Sequence, residues 1–229
     1  MASLCMKARR PMSAKPGHLS ASPETVAAGG CDLAAAKCVA IMMHGRDRNT
    51  DDILQVADRL NLDHVAYLAP AAPDNSWYPG KFMEPLEKNQ PWLDQSLAVI
   101  DNLVNAVKAK GFRETQILLV GFSQGACVVT EYVLRYPGRY GGIIIFTGGF
   151  NGPAGVERVF KGGFEGTPVF LGGSDVDEWI PEFRIHETAE IMKAMGAEVE
   201  VVIYKDMEHL INDDEIEKAR RIFQSALNG

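Results

Sequence analysis

The chain has 229 residues, 46% of them hydrophobic, which is ample for one sizeable core. Its formal net charge is −7, and an acidic body offers no electrostatic footprint for nucleic acid. The four cysteines, Cys5, Cys31, Cys38 and Cys127, form no CxxC pair or metal spacing, and no apolar run reaches the roughly 18 residues that span a membrane, so the chain reads as a reduced, cytoplasmic protein without metal or membrane span.

Residues 1–23 are basic, rich in Ser, Ala and Pro, and without hydrophobic periodicity. They read as a disordered leader ahead of a single domain over 24–229. An organellar transit peptide is the alternative, and the missing apolar h-region excludes a secretory signal. Residues 25–33 suit an edge strand or a hairpin turning at Gly29-Gly30. Residues 37–43, KCVAIMM, form a buried strand that runs straight into His44-Gly45-Arg46-Asp47. Asp51 or Asp52 then caps a helix whose apolar face is Ile53, Leu54, Val56, Ala57 and Leu60. Another short strand is predicted over 64–68.

Residues 70–91 have no clear period and carry Pro70, Pro73, Pro79 and Pro85 together with Trp77, Tyr78, Phe82 and Met83. A loop of this length is usually functional, and its bulk argues for packing over something. Residues 92–110 read as a long amphipathic helix closed by Gly111. Strands follow at 142–147, 167–171 and 198–204, a glycine-rich irregular stretch at 148–166, and helices at 183–195 and 215–227. Strands alternating with helices predict an α/β fold: a mostly parallel central sheet with helices on both faces. No G-x-G-x-x-G follows the first strand and no G-K-[ST] is present, so dinucleotide and P-loop chemistry find no support.

The stretch that organises the rest is 116–136, QILLVGFSQGACVVTEYVLRY. Ile117-Leu118-Leu119-Val120 is a strand buried on both faces, and Val128, Val129, Tyr132 and Val133 have helical spacing. Between them lies Gly121-Phe122-Ser123-Gln124-Gly125, a G-x-S-x-G motif. A strand turning at once into a helix puts Ser123 at a sharp corner with its hydroxyl beyond the strand end. Helical N–H groups there point at charge developing on a bound carbonyl. Ser123 is therefore the candidate nucleophile.

A serine needs a general base, and imidazole suits neutral pH. His18 lies in the leader, His64 opens a strand, and His186 sits beside Glu187 on a solvated helix face. His44 leads a turn whose job is to present main-chain N–H groups. His209, in the loop after the last strand, opens on the same rim as Ser123 and is the candidate base. The loop before it holds Asp175, Asp177 and Glu178, so the chain order is Ser, acid, His, as in α/β-hydrolases. The main-chain N–H groups of Gln124 and Arg46 are the candidate oxyanion donors. The Arg46 side chain either binds a substrate anion or, as favoured here, pairs with a nearby acid.

These blocks resemble the phospholipase/carboxylesterase family of serine hydrolases, which includes acyl-protein thioesterases. His44-Gly45-Arg46 after a strand, Gly121 to Ala126, and Asp177-Glu178-Trp179-Ile180-Pro181 followed by His209 carry the resemblance, which covers roughly residues 35–223. It implies an α/β-hydrolase fold without a large cap domain, no cofactor, and a triad at Ser123, Asp177 and His209. It implies a small-molecule ester or thioester as substrate; a homodimer is compatible with it. Two departures stand out. Asp47 and Arg48 replace the glycine that often follows H-G-x in the family, placing charge at the site mouth. Ser174 stands three residues before Asp177, where glycine is usual. Trp77, Tyr78, Phe82, Phe150 and Phe160 are expected to roof an apolar pocket for short to medium acyl chains. Hydrolysis of lactone or carbon–carbon bonds in aromatic degradation, and non-catalytic binding on the same scaffold, are the competing functions.

Overall fold

The computed structural model describes residues 26–229; the leader assigned to 1–23, with His18 and Cys5, lies outside the described residues. Seven strands form a single sheet in the order β1-β3-β2-β4-β5-β6-β7: β1 (Val26–Gly30), β2 (Cys38–Met43), β3 (Val65–Pro70), β4 (Ile117–Phe122), β5 (Gly142–Phe146), β6 (Pro168–Ser174) and β7 (Glu198–Tyr204). All neighbours pair in parallel except β1, which runs antiparallel to β3 with Val26 opposite Pro70. Of the two readings of 25–33, the edge strand holds and the hairpin does not, because β1 pairs across the chain with β3 rather than with the strand that follows it.

Buried strands need apolar residues at every position, one set for each face. In β2 all six residues are buried, with Val39, Ile41 and Met43 facing one core and Cys38, Ala40 and Met42 the other. Helices α2 (Trp92–Ala109), α3 (Gln124–Arg135) and α4 (Glu182–Ala194) cover the first face. Helices α1 (Thr50–Leu60) and α5 (Asp213–Asn228) cover the second, through Ile53, Val56, Leu60, Ile216 and Phe223. The result is the layered α/β-hydrolase arrangement, with no large cap domain among the described residues.

Helix α1 is capped by Asn49, not by Asp51 or Asp52 as expected. The Asn49 side chain accepts from the N–H groups of Asp51 and Asp52, at 2.9 and 3.0 Å, and the Asp52 carboxylate returns a bond to the Asn49 N–H. This reciprocal box places the aspartates in the first turn, where the helix dipole favours negative charge.

The strand order reverses at β2. The chain passes from β2 to β3 on one side, then returns to lay β4 on the other side of β2. Loops leaving the C-terminal ends of β2 and β4 therefore diverge, and the crevice between them is where an open parallel sheet binds its ligand. His44–Arg46 and Ser123 occupy those two ends.

Candidate active site

Ser123 stands between β4 and α3 with φ 54° and ψ −119°. A non-glycine residue is rarely held there, and this strain survives only where the surroundings enforce it. Its N–H donates to the Phe146 carbonyl at 3.0 Å, and its carbonyl accepts from the Cys127 N–H at 3.0 Å. The flanking glycines are required by space. A Cβ on Gly121 would sit 2.6 Å from the Ala126 main chain, and one on Gly125 would overlap the carbonyl oxygens of Met43 and His44.

His209 comes from the loop between β7 and α5. Its Nε2 lies 2.8 Å from Ser123 Oγ, and its Nδ1 lies 2.6 Å from Asp177 Oδ2. The other oxygen of Asp177 accepts from the N–H groups of Trp179 and Ile180, at 2.8 and 2.9 Å. Burial works against ionisation of Asp177, but the His209 bond and the two N–H donors outweigh it and hold the carboxyl below its ordinary range. An anionic Asp177 requires the proton on His209 Nδ1, which leaves Nε2 as acceptor for the serine hydroxyl. Asp175 does not reach the imidazole; its carboxylate accepts from the Asp206 N–H at 2.8 Å and so ties the acid loop to the His209 loop.

The two oxyanion candidates use their side chains on one segment. Gln124 Oε1 accepts from the Trp77 N–H at 2.9 Å and Nε2 donates to the Tyr78 carbonyl at 2.8 Å. The Arg46 guanidinium donates to the carbonyls of Tyr78, Pro79 and Gly80. The expected pairing of Arg46 with an acid is thus replaced by carbonyl binding, because the 78–80 turn presents three oxygens where an ion pair was anticipated. Side chains so occupied fix the loop and take no part in binding through their own polar groups elsewhere. The Gln124 N–H opens α3 and has no intrahelical acceptor. The Arg46 N–H has no acceptor among the described residues.

His44 is buried and serves the same loop. Its Nε2 accepts from the Ala72 N–H at 3.0 Å, so the proton sits on Nδ1, which donates to the Gly45 carbonyl at 2.8 Å. Burial pushes its pKa down, keeping it neutral. His64 and His186 are exposed, and His186 faces Glu182 at 3.3 Å. Burial also pushes the Cys127 thiol up to about 12, so it offers no thiolate beside the serine.

A cavity of about 950 Å³ opens over Ser123, between the 78–84 segment and the 178–181 segment. Tyr78 and Phe82 line it, as expected; Trp77, Phe150 and Phe160 do not. Trp77 is fully buried, its indole Nε1 donating to the His44 carbonyl at 2.8 Å. Phe150 is buried beneath the Arg184 guanidinium, 4.1 Å from the ring centre, and Phe160 packs under Arg158 at 4.8 Å. Met83, Phe122, Trp179, Ile180 and Pro181 supply the remaining apolar wall. Four of these adjoin Ser123 or follow Asp177 within four residues, a proximity signal the sequence contained.

A seven-stranded sheet switching direction at β2, with a strained serine at the C-terminal end of β4, defines an α/β-hydrolase. The model of the phospholipase/carboxylesterase family matches residues 30–226, and the chain belongs to that family. A solved phospholipase/carboxylesterase from Dyadobacter fermentans is similar at 37% identity and TM-score 0.83, covering 91% of this chain and all of that one. Acyl-protein thioesterase 1 of Saccharomyces cerevisiae is 30% identical over 137 residues, 58% of this chain and 60% of that protein. The lysophospholipase-like protein 1 of Mus musculus is 21% identical over 74% of this chain and 77% of its own length. This chain therefore spans less than two thirds of the yeast relative. Among the described residues, no helix is long and apolar enough to cross a membrane, and no cluster of His, Cys, Asp and Glu is placed to hold a metal ion.

Proposed function

We propose that the protein is a serine hydrolase cleaving carboxylic esters, and thioesters, of short to medium acyl chains through an acyl-enzyme. The observation that carries this is the hydrogen-bonded series from Ser123 Oγ through His209 to Asp177 at the floor of the cavity. Ser123 Oγ attacks the acyl carbonyl while His209 Nε2 takes its proton. The carbonyl oxygen becomes an oxyanion between the N–H groups of Arg46 and Gln124. His209, held by Asp177, returns the proton to the leaving alcohol or thiol. Water then repeats the sequence on the acyl-serine and releases the acid. Each half-reaction balances without a cofactor. The yeast relative named an acyl-protein thioesterase supports including thioesters.

The acyl preference rests on the wall. Tyr78, Phe82, Met83, Trp179, Ile180 and Pro181 bound the groove beside Ser123. Each methylene buried there contributes about 0.8 kcal/mol, roughly fourfold in kcat/KM, until the wall is used up. A panel of esters and thioesters graded by acyl length should show kcat/KM rising from acetyl to butyryl or hexanoyl and falling for long chains. A monotonic rise to palmitoyl contradicts this reading of the cavity.

A further inference from the structure

The His209 loop, residues 205–212, is held at both ends by carboxylates. Asp175 receives the Asp206 N–H at its start. At its end, Glu215 Oε2 receives the Asn212 N–H at 2.9 Å, and Asn212 Oδ1 receives the Glu215 N–H at 2.9 Å. Asn212 also reaches back to the Met207 sulfur, at 2.9 Å from its Nδ2. Helix capping alone does not account for the placing of Glu215. Capping carboxylates ordinarily stand in water, yet this one is completely buried and its Oε1 has no hydrogen-bond partner among the described residues. That oxygen lies over Gly172 of β6, where any Cβ would overlap it, with the Phe170 ring alongside. Strand β6 leads directly into the loop bearing Asp177. The carboxyl of Glu215 is therefore wedged between the strand that delivers the acid and the loop that delivers the base.

We propose that Glu215 is a positioning residue for His209: its buried carboxyl seats the imidazole-bearing loop against β6, fixing Nε2 on Ser123. This rests on the serine-hydrolase reading above. The wedge is filled best by a neutral acid. Burial first, then the neighbouring Asp214 carboxylate, raise the Glu215 pKa to about 7, against the opposing pull of the Asn212 N–H and of Arg59 on α1. The charged and titratable groups around Glu215 also include Tyr204 of β7, whose hydroxyl donates to Asp214, Lys218, 3.8 Å from Asp214, and Asp213, paired with Arg59. The sign follows from linkage. A carboxyl whose pKa is raised in the seated loop binds its proton more tightly there than when hydrated. Seating is thus favoured below the ordinary carboxylate range and loses that support as pH rises through about 7. Ionised Glu215 favours a loop displaced from β6, and with it a misplaced imidazole.

The test compares Glu215→Ala and Glu215→Gln with wild type, using a short-chain ester and counting competent sites with a fluorophosphonate probe. E215A should lower kcat about tenfold or more with KM within about threefold, the split expected when only the reacting geometry is lost. E215Q, neutral at every pH, should recover most of that kcat, and its ratio of kcat at high pH to kcat at low pH should exceed the wild-type ratio. Wild-type kcat per labelled site in E215A, or an E215Q pH profile superimposable on wild type, overturns the proposal. If E215A fails to fold, the E215Q profile decides alone. Wild-type protein that takes up no probe contradicts the serine-hydrolase reading, and this proposal falls with it.

Discussion

Asp177 and Asp175 lie two residues apart on one loop, and their surroundings assign them different tasks. Asp177 receives the imidazole and two main-chain N–H groups, while Asp175 receives only the Asp206 N–H. Replacing a buried carboxylate by an amide beside an imidazole admits the wrong tautomer, and in a well-studied serine protease this costs about 10⁴ in kcat. Asp177→Asn should therefore lower kcat by roughly three to four orders of magnitude. Asp175→Asn, which keeps an acceptor oxygen for Asp206, should lower it less than about tenfold. Steady-state kinetics on the two variants checks this, and a larger loss at Asp175 would reverse the assignment. The D-x-x-I-P spacing pointed to Asp177 in the sequence. The sharing of the His209 loop between Asp175 and Glu215 was not legible, because it depends on which N–H groups a folded loop presents.

At the scale of elements, the elbow works because α3 presses against the end of β2. Gly125 makes that contact, with no room for a methyl group beside the carbonyls of Met43 and His44. Gly125→Ala must push backbone from backbone, since no flexible side chain is there to yield. Overpacking of this kind costs about 1–3 kcal/mol, which in a domain of this size is a Tm loss of roughly 2–12 °C. The same displacement moves the Gln124 N–H away from the Arg46 N–H. Activity should consequently fall by more than the folded fraction does. Calorimetry and kinetics on this variant check both effects; unchanged Tm and kcat would contradict the packing described. The G-x-S-x-G motif and its flanking periods made this element legible at once. The 70–91 segment was harder. Its aromatics were visible, but their surroundings were not: Trp77 turns inward to bond the His44 carbonyl and lies off the cavity, while Tyr78, next along and also buried, is among the residues that line it. Neighbouring residues in an irregular loop have no period from which direction can be read.

For the whole molecule, strand–helix alternation carried the fold, since buried parallel strands announce themselves as short continuous apolar runs and amphipathic helices by their period. Strand order did not follow from period. The switch at β2 brings together His44–Arg46, Ser123, the Asp177 loop and the His209 loop from widely separated parts of the chain. A parallel sheet does this by sharing one rim among its C-terminal strand ends, and for that reason the chain order of the three candidate residues is informative in the sequence. The charges Asp47 and Arg48 do stand at the mouth, among the residues lining the cavity. The claim on which everything depends is that Ser123 is the nucleophile. Intact-protein mass spectrometry after treatment with a fluorophosphonate tests it most directly. One adduct per chain is expected, mapped to Ser123, absent from Ser123→Ala together with nearly all ester hydrolysis. An adduct at another residue, or hydrolysis by Ser123→Ala within a few-fold of wild type, would contradict it.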